Sequence, residues 1–255
     1  MSDTPPPRPS KVPEVTLAFW VVKIAATTLG ETGGDAVSMT LHLGYAVSTA
    51  IFFALFLALA AAQIGARRFH PLLYWAVIVA TTTAGTTMAD FADRSLGIGY
   101  VGGSLALAAL LALTLAAWRL ATGSVAVDAI ATPRAEAFYW ATILFSNTLG
   151  TALGDFLASQ PAIGYEGGAL VFAAALVVVA AAYFLTAASR TALFWAAFIL
   201  TRPLGATVGD LLTKPLADGG LSLSRLGASA AIAAFMLGAV LLLPQRAGGH
   251  PGRSA

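Results

Sequence analysis

The chain has 255 residues, 58% of them hydrophobic and only 10% charged, and its mean hydropathy is +0.81. Soluble domains carry roughly 25% charged residues, so this composition excludes an ordinary soluble fold and indicates a polytopic membrane protein. A formal net charge of +2 and the absence of cysteine remove a basic nucleic-acid surface, disulfides, thiolate metal sites and thiol catalysis.

Residues 1–12 are polar and Pro-rich and read as a disordered tail. They lack the basic start, short apolar core and cleavage site of a signal peptide. Eight apolar runs follow, at about 14–34, 45–66, 72–91, 100–120, 137–157, 167–188, 191–212 and 221–243. Each is close to the ~20 residues that cross a bilayer. The longest internal linker spans 121–136, and a Gly-rich tail occupies 244–255. The expected fold is all-α and polytopic, with eight transmembrane helices arranged as four parallel-repeated helical hairpins. They form one domain over 13–243, with repeats at about 13–68, 69–120, 134–188 and 190–243.

The repeat is visible in the residues themselves. Phe19-Trp20, Tyr74-Trp75, Tyr139-Trp140 and Phe194-Trp195 are each followed ten residues later by a glycine motif that ends in aspartate. These motifs are Gly30-x-x-x-Gly34-Asp35, Gly85-x-x-x-Ala89-Asp90, Gly150-x-x-x-Gly154-Asp155 and Gly205-x-x-x-Gly209-Asp210. Successive tryptophans are 55, 65 and 55 residues apart. Self-similarity at such a period marks an internal repeat. Tyr45, Tyr100 and Tyr165 each follow their aspartate by ten residues and read as interfacial anchors.

Residues four apart share a helix face. At that spacing the odd helices carry Lys23, Thr27, Glu31, Asp35; Ile78, Thr82, Thr86, Asp90, Arg94; Ile143, Asn147, Thr151, Asp155; and Phe198, Arg202, Ala206, Asp210, Lys214. The even helices are almost pure Ala, Leu, Val, Phe and Gly. A charge at the centre of a bilayer costs about 2.5–3.5 kcal/mol even on lenient scales, so the four stripes must turn inward. Gly30, Gly34, Gly85, Gly150, Gly154, Gly205 and Gly209 then allow close approach of the odd helices, which form an inner ring. Pro203 is expected to kink or break the seventh helix beside Arg202.

Placing both termini in the cytoplasm puts nine basic residues on that face, including Arg8, Lys11, Arg67, Arg68 and Arg190, against Arg94, Lys214 and Arg225 outside. The chain then reads as a multi-pass protein of a bacterial inner membrane with its aspartates toward the outer face. Stripe acids exceed stripe bases by one, even with Arg94 and Lys214 counted, which suggests a bound cation or proton.

The fourfold aromatic-Trp to Gly-Asp repeat resembles a bacterial family of integral membrane proteins built from repeats of unknown function, often labelled membrane-anchored. The resemblance covers about 14–243, departs from a Gly-Asp ending only at Ala89, and implies membrane location without an activity. Glu31-Thr-Gly-Gly-Asp35 is similar, across one inserted glycine, to the Glu-x-Gly-Asp sites of a divalent-cation/proton exchanger family.

Phosphate-binding, zinc-protease and serine-hydrolase motifs are missing from the sequence, so no enzymatic activity is expected. The expected function is proton- or cation-coupled transport along a central acidic path. Asp35, Glu31, Asp90, Asp155 and Asp210 would bind the ion, Asn147, Thr27, Thr82 and Thr151 would supply neutral oxygens, and Lys23 and Arg202 would act as internal counter-ions. Hard oxygen donors suit a proton, Na⁺ or a divalent cation, with no certain metal site and no other cofactor. The expected partners are the bilayer and a small cation or proton, with a homo-oligomer left open and no nucleic acid. The alternative is a non-transporting membrane scaffold or regulatory anchor whose polar stripes are structural.

Overall fold

A computed structural model describes residues 10–127, 130 and 132–248. Among them lie eight α-helices: α1 (Leu17–Asp35), α2 (Gly44–Gly65), α3 (Pro71–Asp90), α4 (Tyr100–Thr122), α5 (Pro133–Ala158), α6 (Gly164–Leu185), α7 (Arg190–Thr213) and α8 (Arg225–Leu242). Side-chain oxygens of Thr16, Thr132, Ser189 and Ser224 cap α1, α5, α7 and α8 by accepting a backbone N–H in the first turn. Two of these caps move a boundary away from the sequence expectation. Thr132 with Pro133 starts α5 four residues early, and Ser224 starts α8 four residues late. At the other ends of α1 and α3, wider π-helical turns over Ala36–Thr40 and Phe91–Ser95 carry the chain past the aspartates.

The odd helices form a closed ring in chain order: α1 on α3, α3 on α5, α5 on α7, and α7 back on α1. The even helices lie outside it. Each packs on the odd helix of the following repeat, so α2 covers α3, α4 covers α5, α6 covers α7, and α8 closes the circle on α1. The repeats are hairpins in connection, but their outer helices are handed on to the neighbour. This handover ties adjacent repeats together around the ring. Large apolar side chains such as Leu57, Leu105, Leu113, Leu170, Val178 and Leu241 are exposed on the outer helices, as a lipid-facing surface requires. Six of the eight helices are long and apolar enough to cross a membrane. The stripe on α1 (Lys23, Glu31, Asp35) and the charges of α5 (Arg134, Glu136, Asp155) make those two helices more polar.

The first glycine of each motif makes the tightest glycine contact of its ring helix, with the stripe of a neighbouring helix, and Gly34, Gly154 and Gly209 add further close contacts to Thr86, Ala206 and Glu31. A Cβ on Gly30 would come within 3.0 Å of the Thr82 backbone, and one on Gly85 within 3.0 Å of the Asn147 backbone. One on Gly150 would lie 2.5 Å from Arg202 Cβ, and one on Gly205 2.8 Å from the Thr27 backbone. Inter-helix hydrogen bonds run beside these contacts, from Thr82 Oγ1 to Ala26 O at 3.2 Å and from Thr27 Oγ1 to Thr201 O at 3.1 Å. Pro203 does not break α7, which is continuous from Arg190 to Thr213. Its ring instead packs against Gly150 of α5, and its carbonyl accepts from the Thr207 hydroxyl at 2.9 Å.

Aromatic pairs close one end of the ring in the same rotary order. Phe19 meets Trp75 at 5.5 Å between ring centroids, Tyr74 meets Trp140 at 5.6 Å, Tyr139 meets Trp195 at 6.2 Å, and Phe194 meets Trp20 at 5.7 Å. Tilted and edge-on pairs at these separations are attractive. The first described residues join this end. Lys11 Nζ lies 2.7 Å from Glu136 and donates to the carbonyls of Gln63, Ile64 and Ala66, each at 2.9 Å, satisfying the free carbonyls at the end of α2. Pro13 bridges Ala247, and Trp75 Nε1 donates to Gln245 at 3.2 Å. Residues 10–12 and 244–248, assigned to tails by the sequence reading, are thus packed on the bundle, while 1–9 and 249–255 lie outside the described residues.

Gly85→Val and Gly205→Val are expected to destabilise the ring by about 1–3 kcal/mol or more, since both force a side chain into backbone. Gly238→Ala on α8, where a Cβ meets nothing within 4 Å, is expected to stabilise by about 0.5–1 kcal/mol. Melting curves in detergent, followed by size-exclusion profile, check both directions.

Candidate functional site

The i, i+4 stripes stack into layers across the ring. Outward from the aromatic closure these are Lys23, Ile78, Ile143, Phe198; then Thr27, Thr82, Asn147, Arg202; then Glu31, Thr86, Thr151, Ala206; then Asp35, Asp90, Asp155, Asp210. None of the sixteen is more than 6% exposed. All of the sequence-nominated polar residues therefore do face the interior, but they do not form one site.

Arg202 holds the middle of the ring. Its Nη2 lies 2.9 Å from Glu31 Oε2 on α1 and 2.5 Å from Thr86 Oγ1 on α3, and it meets Thr151 Oγ1 on α5. Nη1 is 3.5 Å from the Thr27 carbonyl. One guanidinium on α7 thus reaches all three other ring helices. It does so because Gly150 leaves room for its stem.

The four aspartates are served by other cations. Lys214 Nζ lies 2.7 Å from Asp35 Oδ2 and 3.0 Å from Asp210 Oδ1. Arg94 Nε lies 2.9 Å from Asp90, and its Nη2 lies 3.4 Å from Asp155. Arg225 Nε approaches Asp35 at 3.6 Å. Lys23 and Arg202, expected as internal counter-ions, do not pair with the aspartates. Arg202 is engaged one layer below by Glu31, and Lys23 Nζ has no hydrogen-bond partner among the described residues. Four cations, Arg202, Lys214, Arg94 and Arg225, face the stripe's five carboxylates, and the formal charges balance only when the unpaired Lys23 is counted with them.

Three carboxylates nevertheless converge. Oxygens of Glu31, Asp35 and Asp210 lie within 4.8 Å of one another, all buried, and Asp35 Oδ1 has no partner among the described residues. Lys214 alone bridges two of them. The neutral donors are placed differently from the expectation. Thr27 and Thr82 spend their hydroxyls on neighbouring carbonyls, and Asn147 Nδ2 donates to Thr81 Oγ1 at 2.7 Å, two layers from the aspartates. Among the described residues, the side-chain hydroxyls that reach the Glu31–Arg202 pair are those of Thr86 and Thr151.

Sequence reasoning missed the role of Thr86, although it lies on the stripe. It also missed Arg225, which follows a turn and carries no periodic signal. Arg94 is additionally bound by the Tyr45 hydroxyl at 3.3 Å, so this tyrosine serves the ionic rim as well as the interface.

Arg202→Met is expected to cost about 3–5 kcal/mol, because it leaves Glu31 charged, buried and without its cation. Glu31→Gln in the same chain is expected to recover much of that loss. A double-mutant cycle of melting temperatures checks the coupling.

A family model described as Repeat of Unknown Function (DUF347) matches this chain four times, over residues 18–69, 73–124, 138–189 and 193–245. No curated protein and no solved structure matches it. Each matched segment contains most of one ring helix and the outer helix that follows it, and together they account for most of the chain. The protein belongs to the family defined by this repeat.

Proposed function

We propose that this membrane protein is a proton- or cation-coupled transporter whose ion site is the carboxylate cluster of Glu31, Asp35 and Asp210. One observation carries this reading. Three buried carboxylates from α1 and α7 converge at one end of the ring, two of them, Asp35 and Asp210, share a single flexible amine, Lys214, and Asp35 Oδ1 has no partner among the described residues. A lysine between two carboxylates is an internal competitor: an arriving cation or proton displaces it, and its return expels the ion. Asp90 and Asp155, sharing Arg94, form a second acidic pair at the same level.

The pairing of every aspartate also favours a second reading, a membrane scaffold or regulatory anchor. Static buried ion pairs fix helix register without moving anything. The two readings differ in what Asp→Asn does. Asp155→Asn leaves Arg94 on Asp90, and Asp210→Asn leaves Lys214 on Asp35, so neither orphans a cation. Under the transport reading both variants keep a near-normal melting temperature. Asp210→Asn then abolishes ion flux in proteoliposomes screened with Na⁺, K⁺, Mg²⁺, Ca²⁺ and Mn²⁺ under both directions of pH gradient. Wild-type protein that moves no ion in any condition would instead establish the scaffold.

The orientation we propose places both termini in the cytoplasm of a bacterial inner membrane, with the carboxylate end outward. Reporter fusions after Arg68 and Arg190 are expected to report cytoplasm, and a fusion near Gly97 the opposite side. A third informative position, after Ala131, lies outside the described residues. An outward signal at Arg190 would reverse the assignment.

A further inference from the structure

Lys23 has no part in the ionic pairs that organise the rest of the ring. Its side chain is fully buried, and Nζ has no hydrogen-bond acceptor among the described residues. The amine sits 4.2 Å from the centroid of the Phe198 ring. The other members of its layer, Ile78 and Ile143, have no polar side-chain atom. The charged group facing it from α7 is Arg202, one layer outward, and Glu31 stands two turns further along α1 itself. From α3 and α5 come Thr82 and Asn147 on that side. On the other side come the Tyr74 and Tyr139 hydroxyls, which bond each other at 2.7 Å. The one charge of α8, Arg225, is at the aspartate end.

This order constrains what can travel along the axis. A metal cation leaving the carboxylate cluster toward the aromatic end would first meet the Arg202 guanidinium, which reaches every other ring helix, and then Lys23. Repulsion between like charges is strong where water is excluded. A proton meets the same repulsion, but unlike a metal ion it can be held covalently on an amine, and Lys23 is the group inward of Arg202 that can hold one. An amine with no salt bridge can take up or release one without breaking an existing pair.

We propose that the ion carried through the ring is a proton, and that Lys23 is its second station, inward of the Arg202–Glu31 pair. The proposal rests on the transport reading above and narrows it to one ion. In the transfer, an N–H bond of the Lys23 ammonium breaks and its electron pair stays on nitrogen. An O–H bond forms on the Glu31 carboxylate, or the reverse, and no further reactant is needed. Eight residues of helix separate the two groups, a rise of about 12 Å, so a relay must bridge them. In the intervening layer the hydroxyls of Thr27 and Thr82, which donate to backbone carbonyls, would have to turn to carry the proton, and Asn147 Oδ1 is buried and unpartnered among the described residues. Protonation of Glu31 also removes the negative partner of Arg202, which couples the passage of the proton to the contact joining α7 to α1.

The test is proton and metal-ion flux of wild type, Lys23→Met and Lys23→Arg in proteoliposomes, with melting temperatures of all three. Methionine suits the apolar layer, so Lys23→Met is expected to melt at or above the wild-type temperature while its proton flux falls about 100-fold. Lys23→Arg, whose guanidinium does not release its proton, is expected to fail equally. If Lys23→Met does not fold, Lys23→Arg alone decides the matter. Proton flux retained in a folded variant overturns the assignment of Lys23. Wild-type protein that moves a metal ion without a proton overturns the proposal and leaves the transport reading standing. Wild-type protein that moves neither removes both.

Discussion

The ring depends on a single buried ion pair, Arg202 with Glu31. Helices in lipid gain nothing from apolar association alone, so close packing and interhelical polar contacts must hold them together. Here the glycines provide the first and Arg202 much of the second. Its guanidinium ties α7 to α1, α3 and α5 in one layer, and the long stem that takes it there fits only because position 150 has no side chain. Glu31 makes that charge tolerable. Neither residue has an equivalent in the other three repeats, so an architecture of fourfold origin is fastened by an interaction that occurs once.

This contrast runs through the molecule. The aromatic pairs and the glycine contacts obey one rotary rule, each repeat meeting its neighbour in the same way, and the outer helices follow it too. The polar interior does not. Its first layer holds one lysine among apolar side chains, its second one arginine among neutral ones, and its third one glutamate. Only the aspartate layer is fourfold. A pore lined by identical residues would have kept the symmetry in every layer; here duplication built the barrel and divergence built its contents.

That division explains what the sequence made legible. The repeats, the eight helices, the inward stripes and the inner ring all follow from periodicity, because spacing determines which residues share a face. The burial of Lys23, Thr27, Asn147, Arg202 and the aspartates follows in the same way. Which charge meets which does not, since pairing depends on the rotation and height of one helix against the next. Lys214 and Arg225 reach Asp35 from the end of α7 and the start of α8, across the closure of the ring between last repeat and first. No local pattern signals that meeting. The continuity of α7 through Pro203 escaped for a related reason: the rule for proline describes an isolated helix, and here the ring lies against the glycine face of α5.

The position of each cation along its element separates what is fixed from what can move. Arg202 lies in mid-helix, fully buried, and cannot leave Glu31 without displacing α7 from the ring. The cations of the aspartate layer are placed otherwise. Arg94 belongs to the π-helical turn after α3 and its side chain is 34% exposed, Lys214 follows the last residue of α7, and Arg225 opens α8. All three are on long side chains at the ends of elements, where a change of rotamer or of one turn moves the charge without disturbing the ring's packing. The carboxylates they serve are carried on the helices themselves and stay in place. An ion exchanging with those cations would therefore enter a rigid acidic site through a movable basic rim, and the Arg202–Glu31 layer beneath it would be the next barrier it meets.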